Sequence, residues 1–416
     1  MKLSINKFID YQKYLIALSY PLYILGFRLG EYPLSVVVIV ILTFDLFLLY
    51  KNKYYKTILT PFLLFIFWSV LTDFLNKEIS AFLLSIAGLI VILIPIISKN
   101  NYGNFNIKTF TKCLVIGFYI ATIYSIYQYL SFRTSLPILE DHLPLAKALN
   151  EQIFGGLYMF RVKSTFREPS HFVQYLIILY MIIDKYNIYF YKFNPKLLKI
   201  VIILQLIFSF SLKAIILFVV YYGFKSSEKI IIFFRNTKIR ISTVYNSTKL
   251  IFISLLFFSI LLSIPNIQNT IQKIPEVFVG RFNKLSKIMF TSNYGSSEGV
   301  RMNVINLIPQ YIEKEGWAKS FYGEGYAIFN DWVETKAENF PQDEVNNVFV
   351  AVFLSTGFIG LLIFIIFILQ IFYKYNFGLK FSVIYILIFY SSGHLIVYLT
   401  WGLIYITKLY HIHSKN

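Results

Sequence analysis

From Val348 to Tyr373 the chain runs without a single charged side chain. Coiled as an α-helix, that stretch is about 39 Å long, more than the roughly 30 Å of a bilayer's hydrocarbon core. Stretches of the same kind recur along the sequence. A window of about 19 residues picks out apolar runs near 11–27, 34–50, 57–75, 79–98, 109–131, 168–184, 197–211, 212–224, 248–264, 346–373, 378–393 and 394–410. With 57% hydrophobic and only 14% charged residues, a chain of 416 residues cannot close into a water-soluble globule. The expectation is an all-α, polytopic helical membrane protein, with residues 1–416 forming one integral membrane domain.

The fullest count is about twelve spans, with a range of ten to twelve. The runs 197–211 and 212–224 are each shorter than the roughly 20 residues a helix needs to cross, and Ser209, Ser211 and Lys213 mark the break between them. The last pair is broken in the same way at Ser391-Ser392-Gly393-His394. Lys2, Lys7 and Lys13 precede an apolar stretch from Tyr14 to Phe27. It looks like a secretory signal, but no small-residue cleavage site follows, so it reads as the first span.

The charge distribution sets the orientation. With the N-terminus cytoplasmic, nearly the whole net charge of +18 falls on the inner face, while most acids fall on the outer face. That matches the accumulation of Lys and Arg in cytoplasmic connections and places both termini inside. Basic stretches such as Lys225 to Arg240 are then explained by orientation and by attraction to anionic membrane lipid, not by nucleic acid. The lone Cys113 lies in an apolar run, so there is no disulfide framework to read.

Two outer connections exceed the length of simple turns, 132–167 and 265–345. The larger is expected to contain short helices at Ile305–Tyr311 and Val333–Glu338, with Gly323-Glu324-Gly325 as a turn between them. The smaller ends in Arg161-Val-Lys163-Ser-Thr-Phe-Arg167-Glu168-Pro169-Ser170-His171-Phe172 and passes directly into a span. Charge at a membrane mouth is costly unless it does something. Guanidinium groups match phosphate oxygens two at a time, so Arg161, Arg167, Arg281 and Arg301 are candidate contacts for an anionic lipid headgroup, with Lys163 and Lys319 weaker ones. Glu168, flanked by hydrocarbon, is suited to moving a proton for a sugar hydroxyl. Its blander role is a helix-end acid that favours the dipole. His171 reads first as a structural imidazole.

The segment Phe166-Arg167-Glu168-Pro169-Ser170 is followed by Ser296-Ser297-Glu298-Gly299-Val300-Arg301, then Phe321-Tyr322-Gly323-Glu324-Gly325-Tyr326. Last come Asn346-Asn347 and the run Leu354-Ser355-Thr356-Gly357-Phe358-Ile359-Gly360-Leu361. In that order these pieces resemble the O-antigen polymerase and O-antigen ligase superfamily of bacterial inner membranes, over about residues 160 to 365. The resemblance implies a metal-independent glycosyltransferase whose donor is a polyprenyl-diphosphate-linked oligosaccharide, working on the periplasmic side. It implies no cofactor, and a membrane-lipid environment with a chain-length regulator and a flippase as further partners.

In that reading Arg301 and Arg167, then Arg161 and Arg281, hold the diphosphate, and a base deprotonates the acceptor hydroxyl. The ligase branch carries a histidine just before the span that closes the large loop. Here that place reads Asp343-Glu344-Val345-Asn346-Asn347, which favours the polymerase branch and leaves the base open among Glu168, Glu344 and His171. A competing class is a lipid-linked oligosaccharide flippase or other transporter, which predicts charges deep within spans lining a path. Asp45 and Lys213 are the main mid-span charges in the sequence.

Overall fold

The computed structural model describes residues 5–22, 26–29, 32–35, 56–76, 106–134, 136–137, 151–154, 157–160, 162–166, 168–209, 211–235, 304–325, 329–337, 345, 347–392 and 398–414. Most of these residues are helical; the rest form two short hairpins and connecting segments, 162–166 and 323–325 among them. The helices are α1 (Ile5–Ser19), α2 (Lys56–Leu75), α3 (Ile107–Arg133), α4 (Pro169–Lys185), α5 (Pro195–Phe208), α6 (Leu212–Arg235), α7 (Leu307–Tyr322), α8 (Phe329–Lys336), α9 (Val348–Lys374), α10 (Gly378–Tyr390) and α11 (Tyr398–His413). Strand β1 (Gly26–Leu29) pairs antiparallel with β2 (Tyr32–Ser35), and β3 (Glu151–Phe154) with β4 (Leu157–Phe160).

Two of the described helices are long and apolar enough to cross a membrane, over Ile107–Ser131 and Val348–Lys374. Thr60–Leu75 and Gly378–Tyr390 are apolar but shorter. The expected spans at 57–75, 109–131, 168–184 and 346–373 coincide with α2, α3, α4 and α9 to within two residues at either end. The expected run 11–27 is different: its helix stops at Ser19 and the chain enters β1 at Gly26. Pro21, two residues on, has no backbone N–H with which to continue the helical ladder. Runs 79–98 and 248–264, and most of 34–50, lie outside the described residues.

Helix starts follow their caps. Asn106 accepts from the backbone N–H groups of Lys108 and Thr109 at the head of α3, and Asn347 accepts from Phe349 and Val350 at the head of α9. At the head of α4, Glu168 is extended and Pro169 takes the first helical position, where its missing N–H costs nothing.

The centre of the bundle is α4. Every residue from Phe172 to Ile183 is buried, as expected of a helix apolar on all sides. Helices α5, α6 and α11 pack around it. At its C-terminal end the Asp184 carboxylate ties down both neighbours, accepting from Lys199 at 2.8 Å, from Lys225 at 2.6 Å and from the Tyr221 hydroxyl.

A second layer joins α2 to α9 in antiparallel fashion through Phe62 on Phe367 and Phe65 on Phe364. Helix α1 lies close along α3 because Gly117 has no side chain: a Cβ there would sit 2.7 Å from the Leu18 carbonyl oxygen.

Helix α9 breaks at Gly357 (φ 68°, ψ −168°), a backbone region open essentially to glycine alone. The carbonyls freed by the break are all used. Glu324 N–H donates to Leu354 O and Gly325 N–H to Ser355 O, each at 2.8 Å, and Trp68 Nε1 donates to Thr356 O at 2.8 Å. The turn Gly323-Glu324-Gly325 is thus docked into the break, between two helices as the sequence predicts, although α7 runs on to Tyr322 instead of ending at Tyr311 and α8 begins at Phe329 instead of Val333. Above the break, the first turns of α9 share a separate apolar core with α7 and α8, built on Tyr311, Trp332 and Phe353.

Candidate functional site: a buried polar junction at the head of α4

The non-helical segment 162–166 enters the bundle instead of crossing its surface. All five of its residues are buried, Lys163 among them. Irregular backbone among apolar helices must have its polar groups satisfied by protein. Val162 N–H donates to Phe208 O at the end of α5. Ser164 adopts a left-handed conformation (φ 52°), and both of its main-chain groups bond to one side chain. Gln128 Oε1 accepts from Ser164 N–H at 2.8 Å, and Gln128 Nε2 donates to Ser164 O at 2.9 Å.

The Ser164 hydroxyl donates to Ala121 O at 2.6 Å, and the Thr165 hydroxyl to Pro21 O just past α1. Phe166 is clamped between Phe172 and Tyr175, and Tyr175 stacks on Tyr20. Ala121 lies about 15 Å back from the C-terminal end of the apolar stretch of α3, so the loop reaches well into the depth of that helix.

Glu168 and His171 follow immediately. Glu168 is half-buried at the cap position and accepts from the Ser170 hydroxyl at 3.2 Å, with no bond from its side chain to the first-turn amides. Its charge still favours the positive end of α4. His171 is half-buried one turn into the helix, its N–H bonded to Glu168 O. Of the expected site residues, Lys163 lies on this buried segment, and Glu168 and His171 lie at the cap and in the first turn of α4 that follows it. Arg161, Arg167, Arg281, Arg301 and Glu344 lie outside the described residues.

Lys319, a weaker candidate for phosphate, is instead engaged by acids of its own subdomain. It lies 2.7 Å from Glu324 and 3.5 Å from Glu315. Glu315 also accepts from Lys336 at 2.7 Å and from Trp332 Nε1 at 2.8 Å. Burial pushes the Glu315 carboxyl up, but these donors outweigh it and hold the group below the usual carboxylate range. Burial and the nearby Glu324 carboxylate push the Tyr311 phenol well up, so it stays protonated.

Two helix breaks complete the floor of the junction. Ser209 and Ser211 separate α5 from α6, and Ser391 and Ser392 end α10, where the sequence places both interruptions. Lys213 Nζ donates to Ser391 O at 3.0 Å, and Gln174 Nε2 donates to Ser392 Oγ at 3.0 Å. Gln128, Gln174 and the structural part played by Lys213 were missed in the sequence as site residues. The signal that marks them is plain: each is a polar side chain inside an apolar run.

The segment 162–166 and the first turn of α4 carry one carboxylate, one imidazole, the buried Lys163 and several hydroxyls, and a second buried lysine, Lys213, bonds the neighbouring end of α10. Such a set is equipped to hold an anion, bond hydroxyls and relay a proton. No family model matches the chain, and no characterised protein matches it in sequence.

Proposed function

We propose that this chain is a multi-pass protein of a bacterial inner membrane, with ten to twelve spans and cytoplasmic termini, that acts as a glycosyltransferase at the outer face. Its reaction is polymerisation of polyprenyl-diphosphate-linked oligosaccharide repeat units into a surface polysaccharide. The observation that carries the reading is the junction itself: a buried, charged, non-helical segment opening directly onto Glu168 at the head of the central helix. In this reading Glu168 takes the proton of the attacking hydroxyl. The arginines Arg161, Arg167, Arg281 and Arg301 hold the diphosphate, where charge develops as the sugar departs. No metal enters the scheme.

A second reading draws on a different observation. Lys163 and Lys213 are buried, and Lys213 joins two broken helices. Discontinuous helices around a central polar site are also the architecture of transporters, and a flippase for the same lipid-linked oligosaccharide would use them to carry the headgroup across.

Deletion of the gene, with complementation by the wild type, Glu168→Gln or Arg301→Ala and gel analysis of surface polysaccharide, separates the readings. A polymerase leaves a single repeat unit on the acceptor and no long-chain ladder. Loss of all capped material instead indicates a ligase or a flippase. A deletion strain with an unchanged ladder overturns the proposal, and an unchanged ladder with either variant removes that residue from the scheme.

A further inference from the structure

Gln174 is fully buried one turn below His171, and its amide orientation can be settled from its neighbour. Ser392 Oγ has one proton, which is committed to Ile388 O at 2.6 Å. Toward Gln174 the serine oxygen can therefore only accept, so Nε2 faces Ser392 and Oε1 faces away. That Oε1 is buried and, among the described residues, has no hydrogen-bond partner. A buried carbonyl left without a donor is destabilising, and an apolar side chain of the same size would fill the place without that cost.

The surroundings say what kind of donor is missing. Gln174 shares a helix face with Ser170 and His171, at spacings of four and three residues. It lies about 9 Å along the axis from Glu168. Across from it, Lys213 is 8% exposed and holds its ammonium on Ser391 O. A second cation at this spot would meet the Lys213 charge unfavourably, whereas a neutral hydroxyl would not. We infer that Gln174 Oε1 accepts a hydrogen bond from a sugar hydroxyl of the lipid-linked oligosaccharide, which makes Gln174 a specificity-determining residue. This rests on the functional reading above and extends it from the diphosphate to the sugar.

The test compares wild type with Gln174→Leu and Gln174→Met, purified in detergent. Two probes are titrated: undecaprenyl diphosphate without sugar, and the undecaprenyl-diphosphate-linked oligosaccharide extracted from the host lacking this chain. Wild type is expected to bind the sugar-bearing lipid more tightly than the bare one. In the variants that advantage falls by about tenfold, the scale of one hydrogen bond to a buried group, while affinity for the bare lipid is unchanged and reports an intact fold. Equal affinity of wild type and both variants for the sugar-bearing lipid overturns the inference and leaves the functional reading standing. Failure of wild type to bind either lipid overturns both.

Discussion

Gly323 and Gly357 meet backbone to backbone. A Cβ on Gly323 would lie 2.6 Å from Gly357 N, and one on Gly357 would lie 2.3 Å from the Phe321 carbonyl carbon. Both have positive φ with ψ near 180°, and their contact allows the 323–325 turn to reach the freed carbonyls of α9. Gly357→Ala therefore adds strain and a clash together. A loss of about 3 kcal/mol is expected, read by thermal unfolding in detergent. Gly223→Ala, where a Cβ would meet nothing within 4 Å, is the control and should be neutral or slightly stabilising.

The buried loop depends on one amide. Gln128 satisfies both main-chain groups of Ser164, so Gln128→Leu leaves a buried N–H and a buried C=O without partners. Each costs about 1–3 kcal/mol. The expected result is a lower melting temperature and loss of the long-chain ladder, while Gln128→Glu, which keeps one acceptor for the Ser164 N–H, loses less. A Gln128→Leu protein as stable as wild type would show that the loop is held elsewhere.

The two candidate spans, α3 and α9, were legible as long apolar helices because length and apolarity single them out in the sequence. The early end of α1 depends on Pro21, a local signal that a hydropathy window averages away. The Ser209–Ser211 and Ser391–Ser392 breaks were also legible, since small polar residues interrupt hydrophobic runs. That those breaks meet one another, through Lys213 on Ser391 and Gln174 on Ser392, was not. Neither was the burial of 162–166, which is set by bonds to Gln128, Ala121 and Pro21, 36 or more residues away in sequence. Hydropathy places a helix in the membrane without saying which of its faces meets which partner.

Asp184 closes the opposite end of α4. Asp184→Asn keeps the shape but removes the charge that pairs Lys199 and Lys225, leaving two partly buried ammonium groups facing each other. The expected loss is about 1–3 kcal/mol, reduced in high salt because both lysines are partly exposed. A variant that melts with wild type at all salt concentrations would contradict this.

Docking of α8 onto α7 should be acid-sensitive. Glu315 has a depressed folded-state pKa, so its contribution is fully present above the unfolded value of about 4.3 and is lost as pH falls through the lower folded value. Protection of the amides of residues 329–336, taken relative to their intrinsic exchange rate at each pH, should therefore fall below about pH 4. Glu315→Gln should exchange faster at neutral pH and lose most of that pH dependence. A variant with the wild-type pH profile would show that another group is responsible.

Helix α7 should lie at the membrane surface. Trp317 is 65% exposed and Phe321 50%, both against Phe358, with Trp317 stacked at 6.3 Å between ring centroids. One turn along α9 from Phe358, Leu362 is 60% exposed, and Leu369 follows at 52%, so the aromatic patch continues an apolar strip suited to lipid. Trp is favoured at the boundary between headgroups and hydrocarbon, whereas this much exposed apolar surface facing water would be unfavourable. In liposomes containing lipids brominated near the headgroup end of the chain, wild type should be quenched more than Trp317→Phe. With bromines at the chain terminus the difference should shrink. If Trp317 emission is instead quenched by aqueous acrylamide and untouched by either lipid, α7 stands clear of the bilayer, and the α7–α8 subdomain does not rest on the membrane surface.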